Sequence, residues 1–309
     1  MRNSISILFL FLLWLGIPSF AQADRVLPQE HIKYPVSVTL EDGQNASGFY
    51  LMDGKGSAWF ISAKHLFFWD PAKEEGRTGL KGGRALLSSY PQEEGLETPI
   101  LIRLDLNVLQ AAGHLHAHET RDLTVIQLGG VKMTPRGKSL EFYDGVDRVA
   151  RAGEPAAEGS LVGASEEVIK RYADVAVGND VFIFGYPTSL GIENYPQIDY
   201  ERPLLRKGVI AGKNNKKRTI ILDCPVFYGN SGGPVIEAEN MGITTTAFHI
   251  IGMVSEFIPF DDKWYGLKHP FGMREIENSG YSVVVPMDDI LDLIEKNQEP
   301  VLKQEAEVP

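Results

Sequence analysis

The chain has 309 residues, 43% of them hydrophobic and 23% charged, enough apolar material to bury a large core. Its formal net charge of −11 argues against nucleic acid or an anionic membrane surface as a partner. A single cysteine, Cys224, excludes any intrachain disulfide.

Residues 1–23 read as an export signal. Arg2 supplies a positive start, Ile5 to Ile17 an apolar run too short to span a bilayer comfortably, and Ala21-Gln22-Ala23 an A-x-A site. Cleavage after Ala23 is expected, with an uncleaved anchor as the alternative. No second apolar stretch is long enough to cross a membrane, so no stable insertion is expected after cleavage.

From residue 24 to 130 the pattern is one of short strands and turns. Val36 to Leu40 alternates, Glu41-Asp42-Gly43-Gln44 turns, and Ala46 to Met52 continues. Asp53-Gly54-Lys55-Gly56 is a hairpin signal, and Phe60-Ile61-Ser62-Ala63-Lys64-His65 reads as a strand ending in a histidine. Asn45-Ala46-Ser47 has the spacing of a glycan acceptor but is read as turn chemistry. Strands follow at Arg84 to Ser89 and Pro99 to Leu106. Asp122 begins the last one, Leu123 to Leu128. Extended backbone would put His114, His116 and His118 on one face, where they could ligate a metal. No defensible fourth ligand is spaced to complete such a site, so a solvated polar face is expected. Residues 131–174 read as a connection between two halves plus an insertion, with a short helical signal at Ser165 to Arg171.

The second half, 175–286, has apolar segments at Val175 to Pro187, Lys207 to Gly212, Thr219 to Cys224, Ile250 to Phe257 and Gly280 to Pro286. Cys224 lies in an apolar run and reads as a buried thiol, not a nucleophile. Residues 287–309 open with a helix: Asp288 and Asp289 are in its first turn, and Ile290, Leu291, Leu293 and Ile294 share a face.

Between those segments lies Gly229-Asn230-Ser231-Gly232-Gly233-Pro234. A serine hydroxyl needs a base on one side and N–H donors for an oxyanion on the other, and glycines let the amides of Gly229 and Ser231 turn into one pocket. The stretch also fits the looser G-x-S-x-G elbow of α/β-hydrolases. Against the elbow, Pro234-Val235-Ile236 suits a strand better than a helix, and the candidate base lies upstream.

The order His65, Asp122, Ser231, with the flanks quoted, resembles the chymotrypsin-fold serine peptidases. The second-half strands resemble bacterial HtrA-type members in particular. The resemblance implies an all-β fold, two six-stranded antiparallel trypsin-like β-barrels with a C-terminal helix, and an active site between the barrels. It implies Ser231 as nucleophile, His65 as base, Asp122 as orienting acid and the Gly229 and Ser231 amides as oxyanion hole. Peptide or protein substrate is the implied partner, with no cofactor or metal, in a periplasmic or secreted bacterial setting. Ser255, Glu256 and Phe257 are implied to pair with substrate as an added strand, and Pro225 and Gly280 to shape the pocket for the residue before the cut. With no acid at Pro225, an apolar residue is expected there. Asn230 stands where digestive relatives carry an aspartate that pairs with a new amino terminus. About a dozen residues follow the helix, against the roughly 90 a PDZ module needs, so none is expected. The rival reading is a binding or chaperone-like protein of the same fold with a misaligned triad.

Overall fold

The computed structural model describes residues 27–298, except 73, 92, 94, 97, 135–136, 188–194, 243–244 and 266–271. The expected signal segment and its cleavage point lie outside the described residues.

A one-turn helix α1 (Gln29–Ile32) leads into β1 (Pro35–Leu40), β2 (Asn45–Met52) and β3 (Ser57–Ser62), then a second turn of helix, α2 (Lys64–Phe67). β4 (Arg84–Ser89), β5 (Ile100–Asp105), α3 (Leu106–Ala111), β6 (Leu115–Ala117) and β7 (Thr124–Thr134) follow. Within residues 131–174, expected as connection and insertion, β8 (Gly137–Phe142), β9 (Val146–Val149) and β10 (Gly163–Ala164) pair with β7, β5 and β2. The helical signal at Ser165 to Arg171 is a single 3₁₀ turn, Glu166–Val168; Ile169 then leaves it to bridge Ile250.

The second half consists of β11 (Asp180–Gly185), β12 (Leu204–Asn214), β13 (Thr219–Asp223), β14 (Pro234–Asn240), β15 (Thr246–Tyr265), β16 (Gly272–Pro286) and the helix α4 (Met287–Asn297). These six strands close a barrel in the order β11-β12-β13-β16-β15-β14. The first half is a ten-stranded curled sheet whose path runs β6-β7-β3-β2-β1-β4-β5-β9. The all-β two-barrel architecture is as expected, the first half carrying extra strands.

Strand alternation explains why the halves adhere. On β2 and β3, Tyr50, Ala58 and Phe60 face the interior of the first sheet, while Phe49, Leu51, Trp59 and Ile61 face the other way. That outer face is buried too, against Phe184, Ile236, Ile250 and Met253 of the second barrel and Met287, Ile290, Leu293 and Ile294 of α4. Leu27 and Tyr34 join the same cluster. A third core, including Val181, Ile210, Leu222, Val235 and Val254, fills the second barrel. Near the start of β2, Asn45 Nδ2 donates to the Gly43 carbonyl at 3.2 Å, in keeping with the turn reading.

Candidate active site

β3 ends at Ser62, so the histidine sits on the one-turn helix α2 and not on the strand. Its backbone N–H donates to Asp122 Oδ1 at 2.8 Å, and its Nδ1 lies 2.7 Å from Asp122 Oδ2. Two bonds to two oxygens of one carboxylate fix the ring and favour the tautomer with a free Nε2. Ser255 Oγ donates to Asp122 Oδ2 at 3.3 Å. Burial by itself would raise the Asp122 pKa, but the His65 side chain and N–H, with the Ser255 hydroxyl, hold its carboxyl below the usual range. The aspartate is therefore ionised at neutral pH.

The loop that carries Asp122 is held from three sides. His118 Nδ1 accepts from the N–H groups of Thr120 (3.2 Å) and Arg121 (3.0 Å), and Lys64 Nζ donates to the His118 carbonyl at 2.8 Å. Arg121 forms an ion pair with Asp289 of α4 at 2.8 Å and donates to the Lys217 carbonyl between β12 and β13. Sequence reasoning missed these roles. The three histidines do not form a solvated face: His114 stacks on Tyr143 at 4.3 Å, His116 lies half-buried near Trp59, and His118 serves the loop. Among the described residues no three His, Cys, Asp or Glu side chains are grouped to hold a metal.

Ser231 lies in the turn between β13 and β14. Gly229 (φ 91°) and Gly232 (φ 85°) have left-handed backbone that other residues resist. At Gly232 a Cβ would also meet the Ser47 carbonyl at 2.1 Å. Asn230 is buried; its Oδ1 accepts the Phe227 N–H at 3.0 Å, and its carbonyl accepts the Gly233 N–H at 3.0 Å. The Gly232 N–H donates to the Val254 carbonyl at 2.7 Å, seating the loop on β15. Among the described residues the N–H groups of Gly229 and Ser231 have no protein acceptor. They remain available to a ligand oxygen.

Ser47, which the turn pattern Asn45-Ala46-Ser47 does not mark out, joins the two halves at this loop. Its hydroxyl donates to the Gly229 carbonyl at 2.6 Å and accepts the Tyr186 N–H at 2.9 Å, while its own N–H donates to the Ser231 carbonyl at 2.9 Å. Ser62 Oγ in turn donates to the Ser47 carbonyl at 2.7 Å.

His65, Asp122, Ser231, Ser255, Glu256 and Phe257 line one cavity of about 790 Å³. No hydrogen bond links Ser231 Oγ to the His65 ring among the described residues. Catalytic hydrogen bonds are often long before substrate binds. Pro225 and Gly280 are not brought into the cavity, and the expectation that they shape it is corrected: Pro225 is exposed, and the Gly280 carbonyl is occupied by the Cys224 N–H at 2.9 Å. Counting back from the serine locates a backbone position but not the direction of its side chain. Val226, Phe227 and Tyr228 line the cavity in their place, with Ile221 and Val283. Cys224 is buried, and burial pushes its thiol up to about 11, consistent with an unreactive core residue.

No curated protein matches the chain. Similar solved structures include the HtrA-type protease AlgW with a tripeptide (13% identity, TM-score 0.45, covering 87% of this chain and 62% of that one). A serine-to-alanine variant of AlgW with a tripeptide is similar too (13%, TM-score 0.42, 85% and 58%). Deg5 is a third (16%, TM-score 0.44, 85% and 88%). The chain thus spans about three-fifths of the AlgW chains. The model of the trypsin-like peptidase domain matches residues 46–241, more than half of the sequence and a stretch that contains His65, Asp122 and Ser231. On that match the chain belongs to the trypsin-like peptidase family.

Proposed function

We propose that the protein is an exported serine endopeptidase. Ser231 attacks the scissile carbonyl while His65 takes its proton and returns it to the leaving amine, giving an acyl-enzyme that water then hydrolyses. Asp122 holds the imidazole tautomer and offsets its charge. The Gly229 and Ser231 amides receive the oxyanion, and the Ser255–Phe257 backbone pairs with the substrate chain. The observation that carries the reading is the doubly bonded Asp122–His65 pair in one cavity with Ser231 and two unused N–H donors. The apolar lining from Val226, Ile221 and Val283 favours an apolar residue before the cut. Export rests on Arg2, the Ile5 to Ile17 run and Ala21-Gln22-Ala23.

One observation favours a second reading, a peptide-binding protein of the same fold: the Ser231 hydroxyl is not bonded to His65. Fluorophosphonate labelling followed by a peptide-library screen separates the two. The peptidase reading expects labelling that Ser231→Ala abolishes, and turnover that Ser231→Ala and His65→Ala each lower by about 10⁴-fold or more without unfolding. Cleavage that survives in Ser231→Ala would remove the assignment, and a profile dominated by Arg or Lys would overturn the apolar preference.

A further inference from the structure

β14 pairs with β15 only as far as Pro234↔Met253, where the chain turns into the Gly229–Gly233 loop. Beyond that point β15 keeps β16 on one side and has no strand on the other among the described residues. It continues for twelve residues past Met253, first lining the cavity at Ser255–Phe257 and then running outward, paired with β16, to Tyr265. The pairs Phe260↔Glu277, Asp262↔Glu275 and Trp264↔Met273 place six side chains on one face of this hairpin. Phe260, Trp264 and Met273 are each at least half exposed, at 55%, 57% and 50%. Among the described residues, Asp262, Glu275 and Glu277 have no ion pair and no base shares their face. The opposite face differs: it carries Lys263, Ile276 and the Arg274–Asp261 pair at 2.8 Å.

We propose that the Phe260–Trp264–Met273 face, with its three carboxylates, is a docking surface for a basic and apolar segment of a polypeptide substrate upstream of the cut. The proposal rests on the peptidase reading for its direction. A substrate strand antiparallel to β15, cut beside Ser231 and pairing at Ser255, runs toward its own amino terminus as β15 runs toward Trp264. Phe260 to Trp264 lie five to nine positions beyond Ser255. The recognised segment is thus about five to ten residues before the cut, roughly 20–30 Å along an extended chain. A cationic side chain lying over Trp264 or Phe260 gains from the ring and from the neighbouring carboxylates, and apolar side chains cover the remaining surface. Charge disfavours the other occupants. Two copies meeting through this face would bring carboxylates together, and an anionic lipid surface would be repelled.

The test uses residues 24–309 carrying Ser231→Ala and two fluorescein-labelled peptides. Both contain the same cleavable segment; one has a ten-residue amino-terminal extension of Lys-Leu repeats, the other of Gly-Ser repeats. Tighter binding of the Lys-Leu peptide, on the order of tenfold, is expected by anisotropy, with the gap narrowing in high salt. Phe260→Ala/Trp264→Ala and Glu275→Gln/Glu277→Gln should each close the gap, whereas Lys263→Ala on the opposite face keeps it. Should the aromatic pair misfold, the isosteric carboxylate pair decides. Glu154→Gln/Glu158→Gln, outside the hairpin, controls for net charge. Equal affinity for the two peptides, equal loss in the control, or an unchanged gap when the Lys-Leu stretch is moved to the carboxyl side overturns the proposal. Fluorophosphonate labelling of the unsubstituted chain tests the enzyme separately: a gap without labelling keeps the surface and removes the peptidase.

Discussion

Ser47 Oγ satisfies two buried backbone groups that belong to different turns of the second barrel, the Gly229 carbonyl and the Tyr186 N–H. The space around it is closed: a Cβ at Gly185 would come within 2.9 Å of that hydroxyl, and one at Gly233 within 3.3 Å of Ser47 Cβ. Water has little room to replace a missing oxygen. Ser47→Ala should therefore leave both groups unpaired, at a cost of about 2 kcal/mol or more. The carbonyl it releases is that of Gly229, whose N–H is one of the two proposed oxyanion donors, so a shift of a fraction of an ångström there would lower kcat by roughly tenfold or more. Denaturant titration reads the first effect and active-site labelling rates the second. A variant with full stability and full labelling rate would show that the bond to Gly229 does not set the loop.

At the scale of elements, the segment between β6 and β7 hangs on His118. Its Nδ1 accepts two N–H groups, which requires the neutral ring with its proton on Nε2. Burial holds its pKa below the ordinary value; Arg121 and Lys64 push the same way, while Asp289 and Glu119 oppose. The unfolded chain then binds the proton more readily than the folded one, so stability is full above the ordinary imidazole range and declines as pH falls through it. His116, also lowered chiefly by burial, adds to the slope in the same direction. His118→Ala should cost about 1 kcal/mol above that range and flatten the pH dependence of Tm; a slope identical to that of the unsubstituted chain would acquit His118. This element also shows where sequence reading stops. His65, Asp122 and Ser231 were legible because their neighbours form local motifs, and α4 because its apolar residues repeat on one face. His118 was read with His114 and His116 by period-two spacing alone, yet only Leu115–Ala117 is strand. Ser47 acts on a residue 182 positions away, a contact that no local pattern encodes. The outer part of the β15–β16 hairpin escaped for a different reason: Asp261, Asp262 and Lys263 interrupt its apolar alternation, because neither face there is buried in a core.

For the whole molecule, the question is whether the loop around Ser231 waits for a proteolytic cut to take shape. An ion-pair switch needs a charged partner beside the nucleophile and a free apolar terminus that can reach it. Asn230 has no charge to offer, and its amide is already engaged with the Phe227 N–H. Its neighbours are fixed as well, Gly229 and Ser231 by Ser47 and Gly232 by Val254. At the other end, Leu27 and Tyr34 are buried in the cluster formed by both barrels and α4, together with Ile290 and Leu293. Withdrawing Leu27 alone to feed a terminus elsewhere would forfeit on the order of 2 kcal/mol of apolar burial, with no ion pair in return. The loop is therefore shaped by contacts that exist once the two barrels have docked. Residues 24–309 should be labelled by a fluorophosphonate as first folded, their amino terminus intact by mass spectrometry, and Asn230→Ala should slow labelling by releasing the Phe227 N–H. Labelling that begins only after a further cut before Val36 would establish a pro-segment instead and assign the ordering of the loop to that cut.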